Sequence, residues 1–164
     1  MGSFVLQLGP SAPIESLCIF MLDAYRDLID SLLSTPTTLR QTLGTPVRDD
    51  ISPDTATQLH ELAVREAVNL RRMQATLNRQ PLMLLAIEDE KEIKALGDAV
   101  DTDPEGDLAS FSHDRSELIS VLVNLTLRDW ERPINHDRSG DTSIADEIDA
   151  HLTWDEDITA AITG

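Results

Sequence analysis

Polar side chains able to hold a metal or form a buried ion pair fall where apolar residues are due. Glu66 lies seven residues after Leu59 and four before Leu70 on a helical stripe, so it should point at the core. His151 and Asp155, four apart, interrupt the stripe Ile144, Ile148, Leu152, Ile158 and Ile162. His60 sits beside the first stripe rather than at its centre. Carboxylate and imidazole groups together can bind Zn, Mn or Ni. They can equally form a hydrogen-bonded cluster, because a carboxylate buried without a partner is costly. The bland chemistry is the stronger reading: a polar pocket of His60, Glu66, His151 and Asp155, served by an arginine such as Arg115. Such clusters can fix helix register without catalysing anything.

Those side chains need elements to carry them, and 164 residues with 41% hydrophobic content suffice for one domain over residues 1–164. The net charge of −17 argues against nucleic-acid and anionic-membrane partners, which call for a basic face. Most of that charge lies after residue 87, where 21 acids meet 6 bases. It reads as a solvated acidic surface, with an acidic decoy for a basic partner as another use of the same field. The lone Cys18 has no internal disulfide partner and suits a reducing cytoplasm. Pro10, Pro13 and Glu15 break the apolar opening, which speaks against a signal peptide, and no uninterrupted apolar run reaches the length of a membrane span.

Ser11 and Pro13 start a stripe that predicts a helix from about Pro13 to Leu33, with Cys18 a small core residue, before a Thr/Pro/Gly-rich connection from Ser34 to Ile51. Ser52-Pro53-Asp54 starts a second helix, through Leu59, Leu62, Ala63, Leu70, Met73 and Leu77, that Pro81 stops. Leu82 to Leu96 suits a short helix lying over a bundle; its acidic string Glu88–Glu92 lacks the glycine and ligand spacing of a calcium loop. Asp103-Pro104 caps a third long helix ending near Leu127. A bridge with Ser139-Gly140-Asp141 at its tip leads to a last helix from Thr142 or Ser143. His113 and His136, at a helix start and in a loop, should be exposed. The fold class expected is all-α, four long amphipathic helices with crossing connections and a short extra helix. No P-loop, dinucleotide glycine fingerprint, nucleophile elbow or His-Glu-x-x-His motif occurs.

His113-Asp114-Arg115-Ser116-Glu117-Leu118-Ile119, Leu127-Arg128-Asp129-Trp130-Glu131-Arg132-Pro133, Gly140-Asp141-Thr142-Ser143-Ile144 and Ala150-His151-Leu152-Thr153-Trp154-Asp155 running to Ile162 resemble the DinB-like superfamily. Ser52-Pro53-Asp54 leading into Leu62-Ala63-Val64-Arg65-Glu66 resembles that family's second helix. The resemblance implies a DinB-like four-helix bundle, often dimeric, among metal-dependent transferases and isomerases of bacillithiol, mycothiol or glutathione. Trp130 and Arg132 match a recurrent Trp-x-Arg whose tryptophan packs the crossing.

Active members of that family hold a divalent metal with three histidines, one from the second helix and two at i, i+4 on the last, leaving an open site where a thiol can lose its proton. Laid on this chain, those positions carry Glu61, Trp154 and Ile158, and a one-residue slip on the last helix substitutes Asp155 and Thr159. Neither register recovers a histidine pair, so the resemblance implies a lost metal site. The function expected is then a non-catalytic small-molecule-binding or protein-interaction bundle, a homodimer through the family's helix face, with no cofactor. The alternative is a metal- and thiol-dependent S-transferase or isomerase holding Zn, Ni or Mn with His60, Glu61, His151 or Asp155 as substitute ligands.

Overall fold

The computed structural model describes residues 25–78, 83–96 and 102–164. The helix start expected at Pro13, and Cys18 with it, lies outside them. Helix α1 spans Arg26–Leu43, so the connection expected from Ser34 is corrected to helix as far as Leu43. Leu32, Leu39 and Leu43 continue one buried stripe at spacings of seven and four, and their burial outweighs the break that Pro36 threatens. Gly44 ends the helix at φ 98°, donating its N–H to Arg40 O at 3.0 Å. A Cβ there would meet Pro46 O at 2.9 Å.

Helix α2 spans Pro53–Leu77 and opens as its start signal predicts, with Ser52 Oγ accepting from Thr55 N at 3.0 Å. Where a short helix was expected between Leu82 and Leu96, the chain forms strand β1 (Met83–Leu84), a 3-10 turn at Ile87–Asp89 and the single-turn α3 (Lys91–Lys94). Helix α4 (Pro104–Leu122) is capped by Asp103, which accepts from Gly106 N, and stops before the expected Leu127. There Thr126 and Asp129 cap each other reciprocally and start a separate turn, α5 (Leu127–Trp130). Strands β2 (Pro133–His136) and β3 (Gly140–Ser143) follow, and Ser143 caps the final helix α6 (Ile144–Thr163) by accepting from Asp146 N at 3.2 Å.

The all-α expectation is therefore corrected to a mostly helical fold with a small sheet. Its strand order is β1-β2-β3, parallel between β1 and β2 with Leu84 opposite His136, antiparallel between β2 and β3 with Ile134 opposite Thr142. Strands of two to four residues are too short to show an alternating pattern. Moreover, β1 finds its partner about fifty residues downstream, which local reading cannot supply.

The principal helix contacts run α2–α4, α1–α4, α1–α6 and α2–α6, so helices consecutive along the chain are not always neighbours in space. Two apolar clusters fill the interior. One gathers Leu32, Met73, Leu118, Leu122, Trp130 and Ile148, with Trp130 stacked on Tyr25 at 4.5 Å; the other gathers Leu39, Leu59, Leu62, Phe111 and Ile158. On each long helix the first cluster gives way to the second at one place, and at those places stand Thr35, Glu66, Arg115 and the pair His151 and Asp155. A polar layer thus crosses the interior between two apolar ones. No helix among the described residues is long and apolar enough to cross a membrane.

Candidate functional site: a buried ion cluster and the cavity beside it

Arg115 is the centre of the polar layer and is 0% exposed, as is Glu66. Its position on α4 continues the stripe of Leu108, Phe111, Leu118 and Leu122, so the helix delivers a guanidinium where an apolar side chain would pack. Nε donates to Glu66 Oε1 at 2.7 Å and Nη2 to Glu66 Oε2 at 2.8 Å, a bidentate pairing whose planar geometry a lysine could not reproduce. Nη2 also lies 2.7 Å from Asp155 Oδ2 on α6. His151 Nε2 donates to Glu66 Oε2 at 2.8 Å. The Phe111 ring packs beneath the guanidinium, 4.7 Å from its centre.

Pro36 supplies the remaining acceptor. With no N–H, it cannot close the helical hydrogen bond to the carbonyl four residues back, which is that of Leu32. That carbonyl accepts from Arg115 Nη1 at 3.2 Å instead. The proline is thus a coupling point between α1 and the ion cluster. Pro36→Ala should therefore stabilise the protein by clearly less than the ~3 kcal/mol that a proline normally costs inside a helix, because the new N–H competes with Arg115 for Leu32 O. Urea unfolding of the two proteins measures it, and a gain of the full amount would remove the coupling.

Burial would raise the Glu66 carboxyl, but the His151 charge and the hydrogen bonds from Arg115 and His151 outweigh it and hold the group at about 2. Arg115 is pushed down by burial and up by Glu66 and Asp155, with the upward effect larger. One acceptor, Asp155 Oδ1, has no partner.

Glu66, His151 and Asp155 each offer a ligand atom within 4.8 Å of the others, a spacing at which a metal ion could be held. The fit is poor for a reason visible in the same atoms. Glu66 Oε2, Asp155 Oδ2 and His151 Nε2 stand 2.8, 2.7 and 3.4 Å from one atom, Arg115 Nη2. The cation's position is filled by the guanidinium.

Of the residues singled out from the sequence, Glu66, His151 and Asp155 meet here and His60 does not. His60 Nδ1 pairs with Asp107 Oδ1 at 3.1 Å, between α2 and α4. Glu61 is half-buried, acts on Arg65 through its charge and is not part of the cluster. Ile158 packs in the second apolar cluster, and Trp154 lies under the Arg65 guanidinium at 4.1 Å. His113 is exposed as expected. His136 departs from expectation: it ends β2, its side chain is 13% exposed, and Nδ1 accepts the N–H groups of Arg138 and Ser139 at 3.1 and 3.2 Å. Hairpin closure buries the ring, a consequence of the sheet that the sequence did not announce.

Against His151 lies a cavity of about 320 Å³ between α2 and α6, roofed by the 3-10 turn and the β2–β3 turn. Arg65, Asn69 and Arg72 line its α2 side, Trp154 its α6 side, and Glu88 and His136 its roof. Sequence reading passed over the three α2 residues. Their spacing of four and three marks one helix face, but a polar face ordinarily reads as solvated. They are 8%, 4% and 5% exposed because the segment after β1, the 3-10 turn and the hairpin cover them. Arg72 Nη1 donates to Leu85 O at 2.8 Å and Nη2 to Glu147 Oε2 at 3.3 Å, which ties the cover to α2 and α6. Comparison with models of known families, with curated proteins and with solved structures finds no match to this chain.

Proposed function

We propose that this chain is a DinB-like four-helix bundle in which an arginine has taken the place of a metal ion, and that it binds a small molecule rather than running metal-dependent thiol chemistry. The observation that carries the reading is the convergence of Glu66 Oε2, Asp155 Oδ2 and His151 Nε2 on Arg115 Nη2. A fixed positive charge there pairs with both carboxylates and leaves no open position at which a thiol could be activated. The four groups come from three helices, so the cluster ties α2, α4 and α6 in one register, with α1 held through Leu32 O. This is the work of a scaffold, and the cavity against His151 is where a ligand would sit.

A second reading, a thiol-dependent S-transferase or isomerase, draws on the 4.8 Å spacing of the same three ligand atoms. It requires Arg115 to leave the cluster so that Zn, Ni or Mn can enter. Metal analysis of protein purified without chelator or histidine tag separates the two, paired with unfolding midpoints with and without each ion. Binding to the folded state alone must raise the midpoint. The scaffold reading expects substoichiometric metal and an unmoved midpoint. Stoichiometric metal, with a midpoint shift abolished by Asp155→Ala, would replace it with the transferase reading.

A further inference from the structure

Among the described residues, three hydrogen-bond donors on side chains that line the cavity lack an acceptor. Arg65 Nε, Asn69 Nδ2 and Arg72 Nε are buried and have no partner. The nearest carboxylate oxygen to the Arg65 guanidinium, Glu88 Oε1, is 3.7 Å away on a side chain that is 58% exposed. With His136 Nδ1 occupied as an acceptor of two backbone N–H groups, its other ring nitrogen is left to donate. Three orphaned donors on adjacent turns of one helix, all belonging to residues of a single cavity, need an acceptor-only group.

We propose that this cavity binds a small organic oxyanion, a carboxylate or phosphate monoester, whose oxygens accept from Arg65 and Asn69 while its carbon part lies against Trp154. The proposal rests on the small-molecule reading above and specifies its ligand class. A chain of net charge −17 repels free anions at long range, so a desolvated arginine facing a cavity is out of keeping with its surface. Arg65 is the anion's recognition group, since it lies over the Trp154 ring at 4.1 Å and its nearest ion-pair partner, Glu88, is on an exposed side chain that can swing into solvent. Arg72 is a positioning residue: its two terminal nitrogens are committed to Leu85 O and Glu147, and it keeps the roof over the ligand. Glu147, bound to Arg72, keeps that end of the cavity negative, which disfavours a bulky polyanion. The volume of about 320 Å³ is at the lower end of the range for metabolite-sized ligands.

The test uses benzoate, phenyl phosphate and the neutral isostere benzamide as probes of the full chain, followed by tryptophan fluorescence and unfolding midpoint at constant ionic strength. One or both anions should bind saturably and raise the midpoint while benzamide does neither, and their comparison separates carboxylate from phosphate. Arg65→Met, which keeps the stem and removes the donors, should fold normally and weaken binding by about tenfold or more. Asn69→Ala is the second variant and should also weaken it. Binding of benzamide equal to benzoate, indifference to both substitutions, or no saturable binding of either anion would overturn the proposal. Each titration is repeated after chelator treatment. Anion binding lost with the chelator would indict the metal-free reading itself, whereas no binding with or without chelator sinks only the oxyanion.

Discussion

Arg115→Ala should lower stability by about 3–5 kcal/mol and at the same time create affinity for a divalent cation. The stability loss follows from what remains: Glu66 and Asp155, 0% and 1% exposed, would face each other across a vacated site with only His151 between them. Removing one partner of a buried pair leaves an uncompensated charge, which is worse than never having buried the pair. The affinity gain follows from the same vacancy, since the three ligand atoms within 4.8 Å would lose the cation that neutralises them. Zn, Ni or Mn should therefore raise the unfolding midpoint of the variant and leave that of the parent unmoved. Should the variant be unfolded on its own, circular dichroism would register folding on metal addition. A variant as stable as the parent, or one indifferent to all three ions, would mean that Arg115 does not hold the cation's place. Arg115→Met completes the comparison, because it fills the space and should be destabilised without gaining metal affinity.

The second large effect is acid sensitivity carried by Glu66. A carboxyl held at about 2 in the folded chain and near its ordinary value of about 4.3 when unfolded binds fewer protons folded than unfolded. Stability from this group is complete above the unfolded value and is lost as pH falls from about 4.5 toward 2. The loss amounts to roughly 3 kcal/mol at 1.36 kcal/mol per pKa unit. Asp89, Glu92, Glu105 and Asp129 are also held low, chiefly by hydrogen bonds from Lys94, Arg71, Arg40 and Thr126 in that order, but they lie half-buried at the surface, where solvent screens them, and contribute little. Glu66→Gln isolates the buried group. It should be less stable than the parent near neutral pH, because Arg115 loses half its countercharge, and the gap should close as the pH is lowered. Parallel urea midpoints for the two proteins across that range would show that the acid sensitivity arises elsewhere.

Much of the helical framework is legible one residue at a time. Ser52-Pro53, Asp103-Pro104 and Ser143 announce helix starts, and their side chains make the capping hydrogen bonds that such residues exist to make. Pro36 misleads because the local rule is sound and is overridden: a stripe of buried leucines on both sides keeps the helix going, and the carbonyl it frees is used by a residue 83 positions away. The strands are invisible for the complementary reason, being short and held by pairing across the chain. His136 shares their fate, its burial decided by the turn that closes β2 onto β3.

The candidate site divides along the same line. Periodicity alone determines that Glu66, His151 and Asp155 face the interior, since a helix turns each residue by a fixed angle and the apolar stripes mark the inward direction. It cannot determine which charge meets which, because pairing depends on the height at which four helices pass one another. Nor can it tell the buried polar face of Arg65, Asn69 and Arg72 from a wet one, because what covers that face is a turn and a hairpin from elsewhere in the chain. Composition and period set the directions of side chains along each helix; only the packing of helices and sheet decided that an arginine lies among the three ligand atoms and that unpartnered donors were left buried beside a cavity.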